Sequence, residues 1–492
     1  MNDTARSFAA MAAVAGALMI GRPSSLRADD VQPPSASAAG QVSGPPTGGK
    51  IVELSRDAEL GITSAWLSNG VRVHHKYLTV TGDQIGYQKG QVWLSVTLAG
   101  GEIEENKSNF GITQAAGLVL SKPATSTMSR AEVRRLLGSA RGGLETPVYD
   151  DVFCFEATTY ADELEKWLEQ IHLIVKDGRI EPATLRAWRD SNLRKLRSYQ
   201  GMVQYPAVEA YYELVTGGDA RLAEITAERL EALSPEEVQA WLDRLRTQAP
   251  IEVAVVGEIS WDTLVPLVET YLGSLPKRPR TADHLKSLRR ILRPGGPLLA
   301  RQEVVSRSSG SVVIVGFVGF DAATPDFPIL DTARIILDRR LAKRLRDERK
   351  LTTSIRVDKD MIWAYRDAGR LRALARCSRD NAEVLADTIK KEFQRFADAG
   401  PTRGELTAAL KEMRSFYSKR INQQPIYWFR LLQHHDLHGR NIHESREMLK
   451  ALKDVKPNDV RDVFRKYYTP RNRFQVIALA KSPEALKPGK KK

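Results

Sequence analysis

A chain of 492 residues exceeds what one hydrophobic core organises, so roughly two to four domains are expected. Apolar residues make up 42% of it, which excludes a disordered chain, and a net charge of +14 with a pI near 9.6 points to acidic partners or anionic surfaces. The charge comes without zinc-finger spacing or an aromatic RNA-binding motif; RRLAKRLRDERK (339–350) and the terminal KPGKKK read as solvated basic faces, and no nucleic-acid partner is expected.

Arg6 precedes the apolar run FAAMAAVAGALMIG (8–21), and Leu26 and Ala28 then give a loose small-residue cleavage pattern. Residues 1–28 read as a secretory signal peptide, because about 14 apolar residues fall short of the ~20 that a membrane-spanning helix needs. The chain is therefore expected to be exported, to a periplasm or an extracellular space, with no transmembrane segment beyond the signal. Residues 29–49, DDVQPPSASAAGQVSGPPTGG, lack bulky apolar side chains and read as a disordered tether.

LSNGVRVHHKYL (67–78) then reads as a turn and a strand whose His74 and His75 face opposite ways. QVWLSVTLAGG (91–101) is a strand closed by a Gly-Gly turn, and Glu102, Glu104 and Glu105 follow as a solvated acidic turn. NFGITQAAGLVLSK (109–122) reads as one helix bearing no chemistry, with Gly111, Ala115, Ala116 and Gly117 suited to close packing on a sheet. Ser129 and Glu132 form a capping box.

These elements recur roughly 220 residues later. QVWLSVTLAGG matches SVVIVGFVG (311–319), and VFCFEATT (152–159) matches RLRALARC (370–377). An amphipathic helix follows each, with Leu164, Trp167, Leu168, Ile171, Ile174 and Val175 on one face of the first and Leu385, Ile389, Phe393 and Phe396 on one face of the second. Helices opened by Pro182 and Pro401 come next, then LSPEEVQAWLDRL (233–245) against VKPNDVRDVFRKY (455–467), and last the strands IEVAVVGE (251–258) and FQVIALAK (474–481). The fold class is α+β: two homologous tandem modules, each an antiparallel or mixed sheet with helices packed on one face. The first spans 50–275, the second 303–484; a basic Pro/Gly-rich linker (276–302) joins them, and 485–492 form a basic tail. Cys154 and Cys377 lie in strands of different modules and read as buried free thiols.

LSNGVRV, the strand and Gly-Gly turn after it, and VVGEISWDTLVPLVETYLGSLPKRP (255–279) resemble the pitrilysin/insulinase family of zinc metallopeptidases and their inactive homologues, over residues from about 50 to 481. The resemblance implies paired domains facing each other across a chamber for an extended peptide. Active members carry H-x-x-E-H on the helix after the first Gly-Gly turn: two histidines bind zinc, the Glu acts on the zinc-bound water, and a downstream Glu completes the ligands. The matching positions here hold Gln114, Gly117 and Leu118, and the downstream helix offers only Asp190. No catalytic residue, metal ligand or cofactor is expected in this chain, zinc being confined to the family or to a partner subunit. GGLETPVYDD (142–151) lacks the Asn of the family's substrate strand and contains Pro147. The family's substrate-steadying Arg matches Arg346, while Thr353 stands at its Tyr; Arg346 is expected to form a surface or linker-facing ion pair, with substrate contact as the alternative that the resemblance implies.

LLQHHDLHGRNIHE (431–444) is a second place to look for a metal, since His434 and His438 would share a helical face. Gly439 reads as the cap ending that helix, and histidines in a last turn suit the helix dipole without any metal. Three readings stand. The first is an inactive subunit completing the peptide-binding chamber of a homologous zinc-bearing partner; the second is a metallopeptidase using a non-standard site such as His434 and His438; the third is a non-enzymatic peptide-binding or scaffold protein.

Overall fold

The structure, a computed structural model, describes residues 48–80, 87–137, 140–199, 201–306 and 310–481. The signal peptide, the tether up to residue 47 and the basic tail lie outside the described residues. Among the described residues no helix is long and apolar enough to cross a membrane.

The first half supplies β1 (Ile51–Asp57), β2 (Ile62–Leu67), β3 (Arg72–Tyr77), β4 (Gln91–Ala99), the small ladder β5 (Ala124–Thr125) with β9 (Gly178–Arg179), β6 (Gly143–Glu145), β7 (Val148–Tyr149), β8 (Val152–Tyr160) and β10 (Ile251–Gly257). The main sheet runs β1-β2-β3-β10-β4-β8-β6, with β7 also on β8. The second half supplies β11 (Leu298–Val305), β12 (Gly310–Phe320), β13 (Ser354–Asp360), β14 (Gly369–Ser378) and β15 (Arg473–Lys481), ordered β11-β15-β12-β14-β13. In each sheet the last strand of its half pairs parallel on one side (β10 on β3, β15 on β11) and antiparallel on the other (β10 on β4, β15 on β12). The matched sequence stretches fall on strands of the two sheets, and Leu164–Asp177, Ala382–Ala399, Pro182–Tyr199, Arg403–Gln423, Pro235–Gln248 and Pro457–Tyr467 are helices.

The central strands are apolar on both sides because both faces of each sheet are covered. Even-numbered residues of β4 (Val92, Leu94, Val96) pack with Leu164, Trp167, Leu168 and Ile171 of the helical layer. Trp93, facing the other way, packs with Ala254, Val256 and the apolar residues of the helix Pro425–Leu432, which comes from the second half. In exchange, Val203, Ala207, Tyr211 and Val215 of the first half cover Val312, Ile314, Phe474 and Val476 of the second sheet. Each half hands the other one helix.

The two stretches that carried the family resemblance meet in space. Asn69 of LSNG donates to the carbonyls of Leu272 (2.8 Å) and Leu275 (3.0 Å) in YLGSLP, and Gly70 turns at φ 90° with the Arg278 carbonyl where a Cβ would stand. Residues 276–302 are packed: Arg278 is buried and donates to the Ala249 carbonyl, Leu285 is fully buried, and β11 already begins at Leu298, inside the expected linker. Both thiols are free and buried, as their strands required.

Candidate functional site

The helix after the Gly-Gly turn opens at Gly111, whose φ of 81° is left-handed and whose Cβ would lie 2.3 Å from Ile225 Cδ1. Glu105 accepts from the N–H groups of Gly111 (2.7 Å) and Thr113 (2.8 Å) and so fixes the helix start. The acidic turn expected to be solvated is therefore built in. Glu105 is buried, Glu104 binds Arg244 (2.6 Å), and Glu102 faces a cavity with its Oε1 unpartnered. The single helix expected over 109–122 is two short pieces, Ile112–Ala116 and Leu118–Ser121, broken at Gly117, the residue of lowest helix propensity in the run after Pro.

The three residues at the family's zinc positions part company. Gln114 lines the cavity, together with Glu102, Asp150, Asn192, Glu224 and Arg370. Leu118 is buried in the first core. Gly117 is closed off, because a Cβ there would stand 2.9 Å from Val148 Cγ2, the residue after Pro147 in the edge segment. That segment is interrupted, with β6 and β7 separated by Pro147 and only three residues of β6 on the sheet edge. Asp190 is exposed and does not line the cavity; its helix presents Asn192 and Lys195 there instead. Arg346 lies exposed in the π-helical segment Ala342–Glu348 that continues the helix Phe327–Leu341, paired with Asp347 (2.8 Å), and Thr353 is bonded to the Arg376 carbonyl. Neither lines the cavity.

The cavity offers about 90 Å³ of space to water-sized centres and lies where the two halves meet, Ile362 and Arg370 being supplied by the second. Burial, then Glu105 and Asp150, push the Glu102 carboxyl well above the usual range. Burial and Glu209 hold Glu224 up at about 7. Burial also raises Glu105 against the hydrogen bonds of Thr113 and Gly111. A pocket in a strongly basic chain thus gathers carboxylates that resist losing their protons.

The histidine-rich segment is used for docking. The helix ends at Leu432, earlier than expected, and His434 and His438 occupy a further turn that Gly439 closes at φ 58°. His438 Nε2 meets Asp151 (3.0 Å), which Arg289 also binds (2.7 Å), so that burial alone would raise Asp151 but these two partners hold it well below the carboxylate range. His434 Nε2 meets Cys154 Sγ at 3.3 Å. Burial, then Glu156, keep that thiol protonated, which rules it out as a thiolate nucleophile. The two ring centroids lie 5.3 Å apart, each ring turned to its own partner.

Among the described residues the one cluster with metal-ligand proximity is His74, Glu252 and Asp436, whose ligand atoms lie within 4.8 Å of one another. It is satisfied internally. His74 bridges Ser64 Oγ (2.8 Å) and Glu252 (2.9 Å), Glu252 accepts from the N–H groups of Asp436 (2.8 Å) and Leu437 (3.0 Å), and Arg72 holds Asp436 (2.6 Å). Sequence reading missed it because its members come from two strands and a distant turn. His75, on the opposite face as expected, bonds the Ile259 carbonyl (2.8 Å).

Residues 232–413, less than half of the chain, match the family described as Peptidase M16 inactive domain. No curated protein matches the chain. Among solved structures, a peptidase M16 inactive domain from Pseudomonas fluorescens is similar at TM-score 0.73 and 14% identity, covering 86% of this chain and 98% of that one. The periplasmic protease PqqL from Escherichia coli is similar at TM-score 0.70 and 16% identity, covering 93% of this chain and 49% of that one. A protease from Helicobacter pylori gives TM-score 0.73 and 14% identity over 85% and 99%. The chain spans about half the length of PqqL.

Proposed function

We propose that this chain, which carries an M16 inactive-domain segment and is folded like the M16 proteins, is a catalytically inactive subunit that completes the peptide-binding chamber of a homologous, zinc-bearing partner. The observation that carries the reading is the fate of the zinc positions: Gln114 opens onto a cavity, Leu118 is core, and Val148 has taken the space a side chain at 117 would need. Gln114 and Leu118 cannot replace two imidazoles, and glycine cannot replace a general base. The fold and the cavity are kept while the chemistry is gone, which suits binding.

In this reading residues 50–275 and 303–484 are tandem modules joined through 276–302, and residues 1–28 direct export to the compartment in which PqqL, a periplasmic protease, works. Arg346 would meet peptide or partner by exchanging Asp347 for it. A non-enzymatic peptide-binding protein acting alone is the second reading, favoured by a cavity already lined by both halves of one chain.

Elemental analysis of untagged mature protein, followed by mass determination of the complex recovered from its native host, tests both. Zinc near zero with a co-purifying chain bearing H-x-x-E-H supports the subunit. Zinc near zero with no such chain transfers the case to the lone binder. About one zinc per chain with chelator-sensitive peptide hydrolysis overturns both.

A further inference from the structure

The cavity beside Gln114 is lined by groups of both charges: Glu102, Glu105, Asp150 and Glu224, and Lys195, Arg221 and Arg370. Glu102 Oε1 is buried without a hydrogen-bond partner. Arg370, from β14, lines the same cavity at only 1% exposure. Its Nε and Nη1 atoms are buried and meet no acceptor, and its guanidinium is held among the Tyr211 and Tyr212 rings, 5.6 and 5.2 Å from their centroids. Asp360, its neighbour across β13, acts on the charge, but two buried guanidinium donors without acceptors are costly and rare. Among the described residues no ion pair joins Arg370 to Glu102, Glu105 or Glu224.

An unmet acceptor on Glu102 and unmet donors on Arg370, lining one cavity, describe a ligand with a cationic nitrogen and an anionic oxygen group. Tyr199 and Tyr205, stacked at 5.5 Å, and Leu196 add apolar surface to the lining. A divalent cation fits less well, since these carboxylates are not among the groups whose ligand atoms converge. Deepening the peptide-binding reading, on which it rests, we propose that the cavity binds the C-terminal basic residue of a peptide, its side-chain cation against Glu102 and Glu224 and its terminal carboxylate against Arg370. Bidentate capture of a carboxylate is what a fixed guanidinium does best.

The test is calorimetric titration of the full mature chain with Ala-Ala-Ala-Lys, the same peptide amidated at its C terminus, Ala-Ala-Ala-Leu, and 1,5-diaminopentane. The expected result is binding of the free-acid lysine peptide at least tenfold tighter than any of the other three. Glu224→Gln should weaken it tenfold or more while leaving the thermal midpoint of the free protein at or above its original value. Because Arg370 is packed among aromatic rings and its replacement endangers folding, the amidated peptide serves as the probe of the carboxylate contact in the unaltered protein. Equal affinity for the leucine and lysine peptides, or full affinity in Glu224→Gln, overturns the proposal while leaving peptide binding itself intact. Diaminopentane binding as tightly as the lysine peptide overturns it too, assigning the cavity's carboxylates to free amines. Zinc-dependent cleavage of the peptides, by contrast, would overturn the subunit reading.

Discussion

Gly117 shows at the scale of one residue why the lost site is closed to simple repair. Placing histidines at 114 and 118 and glutamate at 117 would restore the motif in letters, yet the new Cβ at 117 meets Val148 and the imidazole at 118 replaces a core leucine. The triple variant is expected to take up no zinc and to lose roughly 3 kcal/mol or more of stability from overpacking and a buried polar group; elemental analysis beside a denaturant melt checks both parts. Glu224 gives a second prediction. Its folded pKa of about 7 lies above the ordinary carboxylate value, so the folded state holds this proton more tightly than the unfolded one. Its contribution is fully present below about pH 4.5 and is lost as pH rises through about 7, a decline of about 1–2 kcal/mol after allowance for partial exposure. Glu224→Gln should flatten that part of the stability profile; an unchanged slope between pH 5 and 7.5 would show that the carboxyl titrates normally.

Among the elements, the segment 425–439 bears the greatest burden. Tyr427, Trp428, Phe429, Leu431 and Leu432 are buried on the first sheet, and the turn after them is pinned by Glu252 and by the Asp151–His438 contact. Trp428→Ala is expected to cost about 3–5 kcal/mol. Asp151→Asn, which leaves Arg289 without its buried counterion and weakens the His438 contact, should cost about 3 kcal/mol. Both can be read from urea midpoints, and losses below 1 kcal/mol would mean that the segment is only loosely docked. The existence of this helix was visible in the sequence, but its destination was not. Strand alternation and helical periodicity are local, so the recurring strands and helices could be found by eye, and LSNG and YLGSLP carried the family likeness because Asn69 joins them. Arrangements such as His74 in contact with Glu252 and near Asp436, or Glu102 and Arg370 lining one cavity, depend on how distant segments are brought together, and no spacing announces them. The acidic turn was misread for the same reason: its partners, Arg244 and the start of the Gly111 helix, are assigned by packing.

For the whole molecule, the reciprocal exchange of helices decides how it unfolds. Without residues 425–432 the first half would expose Leu60, Ile62, Trp93, Ala254 and Val256 as one apolar face, and without residues 204–216 the second would expose Val312, Ile314, Val476 and Ala478. Faces of that kind are not left open on monomeric soluble proteins. The two halves are therefore expected to unfold as one cooperative unit although each has its own sheet and helical layer, since the free energy of either depends on burial supplied by the other. Expressed separately, a fragment of residues 48–297 should aggregate or bind hydrophobic dye, and adding residues 298–481 should restore a soluble complex that melts in a single transition. Two separated transitions in the intact chain, or a soluble and fully protected first fragment alone, would show that the exchanged helices are ornaments on independent domains. In that case the cavity between the halves would open freely, and the joint use of Glu102 and Arg370 by one ligand would lose its structural basis.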